Sequence, residues 1–235
     1  MIGTLVNIAA IITGTAIGLV LRSRLPETLV RTVFQAIGLF TLTLGFMMAL
    51  KMENLLIVIF SLVLGAIIGQ TIDLESRMER FGNSLRQRFS VGTERFSEGM
   101  LSAFLLFCMG SMTILGAFDE GLKGDPTLLL TKSVMDGFAS IALSSALGIG
   151  VGFSVIPLLL YQGGLTLLSG LIGRFVGASV ISELTAVGGI LLVGLGIEIL
   201  EIKKIRVFNI LPAIVLVVLF MWLKTQLLPL WETMR

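Results

Sequence analysis

Lys132, Asp136, Ser140 and Ser144 recur every four residues in a run of otherwise apolar sequence. On an α-helix that spacing sets four polar side chains in one stripe down a single face. Lys132 and Asp136 can neutralise each other as an i,i+4 pair, which is a purely structural reading. The two serines extend the same face deeper, as the wall of a water-accessible path would. Just upstream, GAFDEGLKGDP gathers Asp119, Glu120, Lys123 and Asp125. Asp125-Pro126 reads as an N-cap followed by proline at the first helical position, so the helix bearing the stripe starts there. Asp119, Glu120 and Asp125 then crowd carboxylates at the entrance of the same path, unless this turn is simply a solvated loop.

Other polar residues stand isolated in apolar surroundings, where their cost marks them as functional candidates. Asn7 and Gln162 carry amides that either bond between helices or coordinate a solute through oxygen. Asn209 precedes Leu211-Pro212, a sequence that loosens a helix. Glu183 is expected at the start of a helix beside Ser182, and Glu198 near a helix end with Lys203 to screen it. Cys108 reads as a packing residue.

These residues need elements to hold them, and composition says which kind. With 55% hydrophobic side chains, 14% charged ones and a mean hydropathy of +1.02, the chain is too apolar for a soluble domain of 235 residues. The net charge of +2 gives no reason to expect nucleic acid as a partner. One cysteine excludes an internal disulfide. The absence of histidine removes His-based catalysis and the usual zinc sites. No enzyme activity and no cofactor are expected. The N-terminus lacks a basic lead and a small-residue cleavage site, so Ile2 to Leu21 reads as a retained first span.

The long continuous apolar runs predict an all-α, polytopic transmembrane helix bundle. Eight spans are expected, near Ile2–Leu21, Val33–Leu50, Leu55–Ile72, Gly99–Phe118, Pro126–Gly148, Ser154–Gly173, Leu184–Leu200 and Val207–Leu223. Residues 1–235 form a single membrane domain. The weak joint is GIGVGFSVIP, where no charge marks an aqueous turn; one kinked helix there would reduce the count to seven. With both termini outside, the inward loops collect Arg22, Arg24 and Arg31, then Arg77 to Arg95, then Lys203, Lys204 and Arg206. This matches the excess of basic residues in cytoplasmic loops. Asp73 to Glu98 is then a cytoplasmic connector. Its Met78, Phe81, Leu85 and Phe89 are spaced 3, 4 and 4 apart, which predicts an amphipathic helix on the inner membrane surface.

Two internal similarities suggest broken helices and inverted repeats. Gly110-Ser111-Met-Thr113-Ile-Leu-Gly aligns with Gly163-Gly-Leu-Thr166-Leu-Leu-Ser at a constant offset, each copy near the middle of a span. Unwound backbone there would expose polar groups to a solute, with Ser111, Thr113 and Thr166 beside it; ordinary small-residue packing is the alternative. AIGLFTLTLGF (Ala36–Phe46) pairs with AVGGILLVGLGI (Ala186–Ile197) if one insertion is allowed.

FCMGSMTILGAFDEGLKGDPTLLLTKSVMDGF, LLYQGGLTLL, IRVFNILPA and the opening MIGTLVNIAAIITGTAIGL together resemble the uncharacterised YqgA/YdfK-type family of bacterial inner-membrane proteins. The resemblance implies a multi-pass bacterial inner-membrane protein and carries over no activity. The residues point to a secondary transporter or channel for a small solute or ion, its path formed by spans four to six. Its partners are the bilayer, that solute and a second copy of the chain. The alternative is a structural or regulatory membrane protein that uses the Asp73–Glu98 segment as its contact surface.

Overall fold

The computed structural model describes residues 1–22, 26–89, 95–108, 111–172 and 177–233, and every regular element among them is helical. Three long helices come first: α1 (Ile2–Arg22), α2 (Glu27–Ala49) and α3 (Leu55–Ile72). They are followed by the amphipathic α4 (Leu74–Phe89), the pair α5 (Phe96–Cys108) and α6 (Ser111–Lys123), and α7 (Thr127–Leu147). A second helical path runs through α8 (Gly150–Phe153), α9 (Val155–Leu158), a π-helical turn at Leu159–Gly163, and α10 (Gly164–Ile172). The chain ends with α11 (Ala178–Ile199), α12 (Val207–Ile210) and α13 (Pro212–Thr233).

The burial pattern is that of a bilayer protein. On α3 the buried residues are Val58, Ser61, Gly65 and Gly69, whereas Leu55, Leu56, Ile59, Phe60, Val63 and Ile67 are exposed. Small residues face the protein and large apolar ones face outward, because lipid solvates leucine as well as a protein core does. Among the described residues five segments are long and apolar enough to cross a membrane: Ile2–Arg22, Leu55–Ile72, Gly150–Gly170, Ala178–Ile199 and Val207–Gln226. The α5/α6 pair makes a sixth if its two arms, bent by 63°, are taken as one broken span. The apolar part of α2, Gln35–Ala49, is shorter, and α7 carries Lys132 and Asp136. Each of the eight expected segments is therefore mainly helical over its described residues, but eight full spans are not established. Glu27 rather than Val33 begins α2, and Ala178 rather than Leu184 begins α11, since helix formation does not stop where hydropathy does.

The uncharged joint resolves into a reversal. Gly148 ends α7 at φ 84°, a left-handed region open to glycine. Before it, Gly3 and Gly14 of α1 meet Leu129 and Ser140, so α1 and α7 run parallel. After it, Thr15 lies near Gly152 and Asn7 near Gln162, so the α8–α10 path runs antiparallel to α1. One kinked helix is thereby excluded.

Glycine sets how closely the helices approach. A Cβ on Gly14 would lie 2.3 Å from the Gly137 carbonyl oxygen, and one on Gly18 would lie 2.4 Å from that of Ile141. The α2/α11 crossing is similar and has a local two-fold character. Gly38 packs on Leu200 as Gly189 packs on Ala49, and Gly45 meets Val193 as Gly196 meets Leu42. One constant offset relates all four contacts, so Gly38 corresponds to Gly189 and Gly45 to Gly196 without the insertion that the sequence alignment required. In the third pair, α3 and α13, Gly65 fits against Ala213 and Gly69 sits beneath Asn209.

The expected surface helix instead closes one end of the bundle. On α4, Gly82 approaches Ser97 and Met100, and Met78 and Leu85 pack on the main core while Phe81 stays outward. Met78 and Leu85 thus meet protein, and the side chain of Phe89 lies outside the described residues.

Candidate functional site

The α1 helix presents Thr4 and Asn7 on its buried face, one turn apart and therefore stacked. Both are 0% exposed. Asn7 Nδ2 donates to Asp136 Oδ2 at 3.0 Å and to Gln162 Oε1 at 3.2 Å. Gln162 Nε2 donates in turn to Thr4 Oγ1 at 3.1 Å. Lys132 completes the cluster through a short ion pair with Asp136, and its ammonium stands 5.9 Å from the centre of the Phe107 ring. Residues far apart in sequence, on α1, α7 and the π-helical turn, thus form one buried chain of polar contacts.

The pair is local, but its support is not. An Asp–Lys pair four residues apart forms on any helix. Keeping it buried requires further hydrogen bonds, since desolvating two charges can cost more than their attraction returns. Asn7 supplies one such bond, and the Phe107 ring face offers the ammonium a favourable contact. Among the described residues Asn7 Oδ1 has no hydrogen-bond partner. A buried amide oxygen without a donor beside a carboxylate is a vacant acceptor for a cation or a donor group.

Both irregular stretches of helix abut this cluster. The last turn of α5 carries Phe107 and Cys108, and Thr113 of α6 donates to the Phe107 carbonyl at 2.9 Å across the bend. The π-helical turn ends on Gln162 and Gly163; such turns often occur where a helix is shaped for function. Gly163 is helical rather than unwound, and Thr166 donates to the Gln162 carbonyl at 3.0 Å. Gly110 lies outside the described residues, as does the side chain of Ser111.

The remaining expected residues divide by role. Ser140 and Ser144 are fully buried and bond to carbonyls of their own helix, Ser144 reaching Ser140 at 2.6 Å. They pack against Gly14 and Gly18, so the lower half of the stripe is a helix contact face. Asp119 pairs with Lys123 at 2.7 Å. Asp125 accepts from the Thr127 backbone N–H at 3.0 Å, which places it one residue before the Pro126 N-cap position. Those hydrogen bonds from Thr127 hold its carboxyl below the usual aspartate range. Asn209 sits at the other end of the bundle, accepting from Glu75 N at 2.8 Å and donating to Gln70 at 3.0 Å.

Two buried glutamates cap helices other than their own. Glu120 accepts from Gly3 N at 2.9 Å and from the Met1 amine at 2.9 Å, at the start of α1. Glu183 lies inside α11 rather than at its start. It is 0% exposed and accepts from Asn54 N at 2.6 Å and from Glu53 N at 3.2 Å, at the start of α3. A carboxylate against free N–H groups at a helix N-terminus is electrostatically favoured. Sequence reasoning passed over Thr4 and Phe107. The only signal for Thr4 was its place three residues before Asn7, and Phe107 gave none.

The family described as "Protein of unknown function (DUF554)" matches residues 2–222. The chain belongs to that family. It is 35% identical over 220 residues to the uncharacterized membrane protein YdfK of Bacillus subtilis (strain 168), covering 92% of this chain and 93% of YdfK. It is 34% identical over 221 residues to the uncharacterized protein YqgA of Escherichia coli (strain K12), covering 92% of this chain and 94% of YqgA. No solved structure matches the chain. The family expected from the motifs is thus confirmed, and the name of YdfK agrees with the outward-facing apolar helices.

Proposed function

We propose that this DUF554 member moves a small solute or ion across the bacterial inner membrane, as a secondary transporter or channel, and is not an enzyme. The path runs through the cluster of Asn7, Lys132, Asp136 and Gln162. The single observation that carries this reading is the unpartnered Asn7 Oδ1 inside a buried charged network. Packing alone would favour apolar residues or a fully satisfied network there. The α5/α6 pair and the π-helical turn adjoin the cluster through Phe107 and Gln162. In this reading both termini are periplasmic and α4 is cytoplasmic, because Arg77, Arg80, Lys203, Lys204 and Arg206 collect at the α4 end.

Proteoliposomes loaded with a pH-sensitive dye and challenged in turn with Na⁺, K⁺, small amines and small amino acids test the proposal. Transport predicts a response to one probe class that Asp136→Asn abolishes, with some loss of stability because Lys132 is left unpaired. Adding Lys132→Met to Asp136→Asn restores stability without restoring flux if the pair lines a path. Restoration of both by the double change, or no response to any probe, refutes transport through this cluster.

A non-transporting structural or regulatory role is the second reading. It is favoured by the packing of Ser140 and Ser144 onto Gly14 and Gly18, which fills the space a path along the lower stripe would need.

A further inference from the structure

The end of the bundle closed by α4 is rich in basic residues, yet its interior is acidic. A cavity of 440 Å³ lies between α4, the start of α5, the end of α11 and the segment leading to α12. Glu75, Glu79, Glu98, Glu198 and Glu201 all contribute to its wall. Part of this charge is matched: Arg95 pairs with Glu201 at 2.9 Å and reaches Glu98 at 3.9 Å, and Lys204 pairs with Glu79 at 3.4 Å. Glu75 and Glu198 take part in none of these pairs. Glu75 is 8% exposed, and among the described residues its Oε2 has no hydrogen-bond partner. Burial pushes its carboxyl above the usual range, against the pull of Lys204. Lys203 also lines the space and only partly offsets the excess of carboxylates.

The remaining lining mixes the polar Asn83, Ser97 and Ser102 with an apolar strip of Leu101, Leu195, Ile199 and Phe208. A volume in the range of about 300–1,000 Å³ suits an organic ligand rather than a bare ion. Among the described residues no group of three or more acidic, histidine or cysteine side chains is placed to hold a metal. The excess negative charge calls for a cation, and the aliphatic walls call for methylene groups between its charges.

We propose that this cavity binds a short aliphatic diamine, its two ammonium groups held by Glu75 and Glu198 and its methylene chain lying on Leu101, Leu195, Ile199 and Phe208. The site is separate from the Asn7–Asp136 cluster and stands whether or not that cluster transports anything.

Equilibrium dialysis of the full-length protein in detergent with radiolabelled 1,4-diaminobutane tests the assignment. Saturable binding at one site per chain is expected, at least about tenfold weaker for butylamine, which has the same chain and one charge fewer. Glu75→Gln and Glu198→Gln should each weaken the diamine by at least about tenfold, and the pair should abolish it. Asp136→Asn should leave it unchanged. Glu198 is only half-buried, so Glu198→Gln keeps the measurement available if Glu75→Gln disturbs the fold. Absence of saturable binding, equal affinity for butylamine, displacement by equimolar Mg²⁺, or loss in Asp136→Asn with both glutamine variants silent would each overturn the proposal.

Discussion

Asn7 holds Asp136 through a 3.0 Å hydrogen bond from one amide hydrogen, while its own carbonyl oxygen has no partner among the described residues. The same amide nitrogen also serves Gln162, so one side chain couples α1 to both of its neighbours. Replacing Asn7 with leucine strands a buried carboxylate and a buried amide. The expected loss is about 1–3 kcal/mol of stability, read as a lower melting temperature in detergent. An unchanged melting temperature would show that Asn7 is not structural, and the bonds seen here would carry little weight.

At the α2/α11 crossing, alanine has no room on either side. A Cβ on Gly45 would come 2.7 Å from Val193 N, and one on Gly189 would come 2.5 Å from Ala49 N. Gly45→Ala and Gly189→Ala should each cost about 1–3 kcal/mol by forcing the helices apart. Because they wedge the same contact, the double change should cost less than the sum. Full additivity in thermal or denaturant unfolding would contradict the shared crossing.

The pH dependence at the α4 end has a definite sign. Burial raises the Glu75 carboxyl above its ordinary value, so the unfolded chain loses this proton before the folded one. Between those two values the folded state holds more protons, and stability falls as pH rises through the raised value. Below the ordinary value the contribution is flat. The cavity groups that bear on it are Glu79, Glu98, Glu198, Glu201, Lys203, Lys204 and Arg95, with Arg206 also acting on Glu75. Melting curves from about pH 4 to pH 8 should therefore show a smaller loss on the alkaline side for Glu75→Gln than for the parent. A parallel pair of curves would remove Glu75 from the account.

Orientation is open to direct labelling. In a Cys108→Ser background, Ser84→Cys on the exposed side of α4 should resist a membrane-impermeant maleimide in spheroplasts. Thr127→Cys, exposed at the opposite end of the bundle, should react. The reverse pattern would place α4 outside and invert the topology.

The solvent of this protein and the basic character of its connecting segments are legible in its amino-acid order alone. Long apolar runs, scarce charges and clustered arginines can be read without knowing any contact, because transfer to lipid depends on each segment's own composition. The Lys132–Asp136 pair was equally legible, since helical periodicity fixes neighbours four residues apart. What meets that pair follows from helix docking. In lipid there is no hydrophobic force to say which helix adjoins which, so partners are chosen by close backbone approach at glycines and by polar groups seeking partners. Gly14 and Gly18 bring α1 against the lower half of the stripe, turning Ser140 and Ser144 into packing residues. The same docking carries Asn7 and Thr4 to the upper half, where the reversal at Gly148 returns Gln162 to meet them. None of those encounters is encoded in a local period, because each depends on the register between helices distant in the chain.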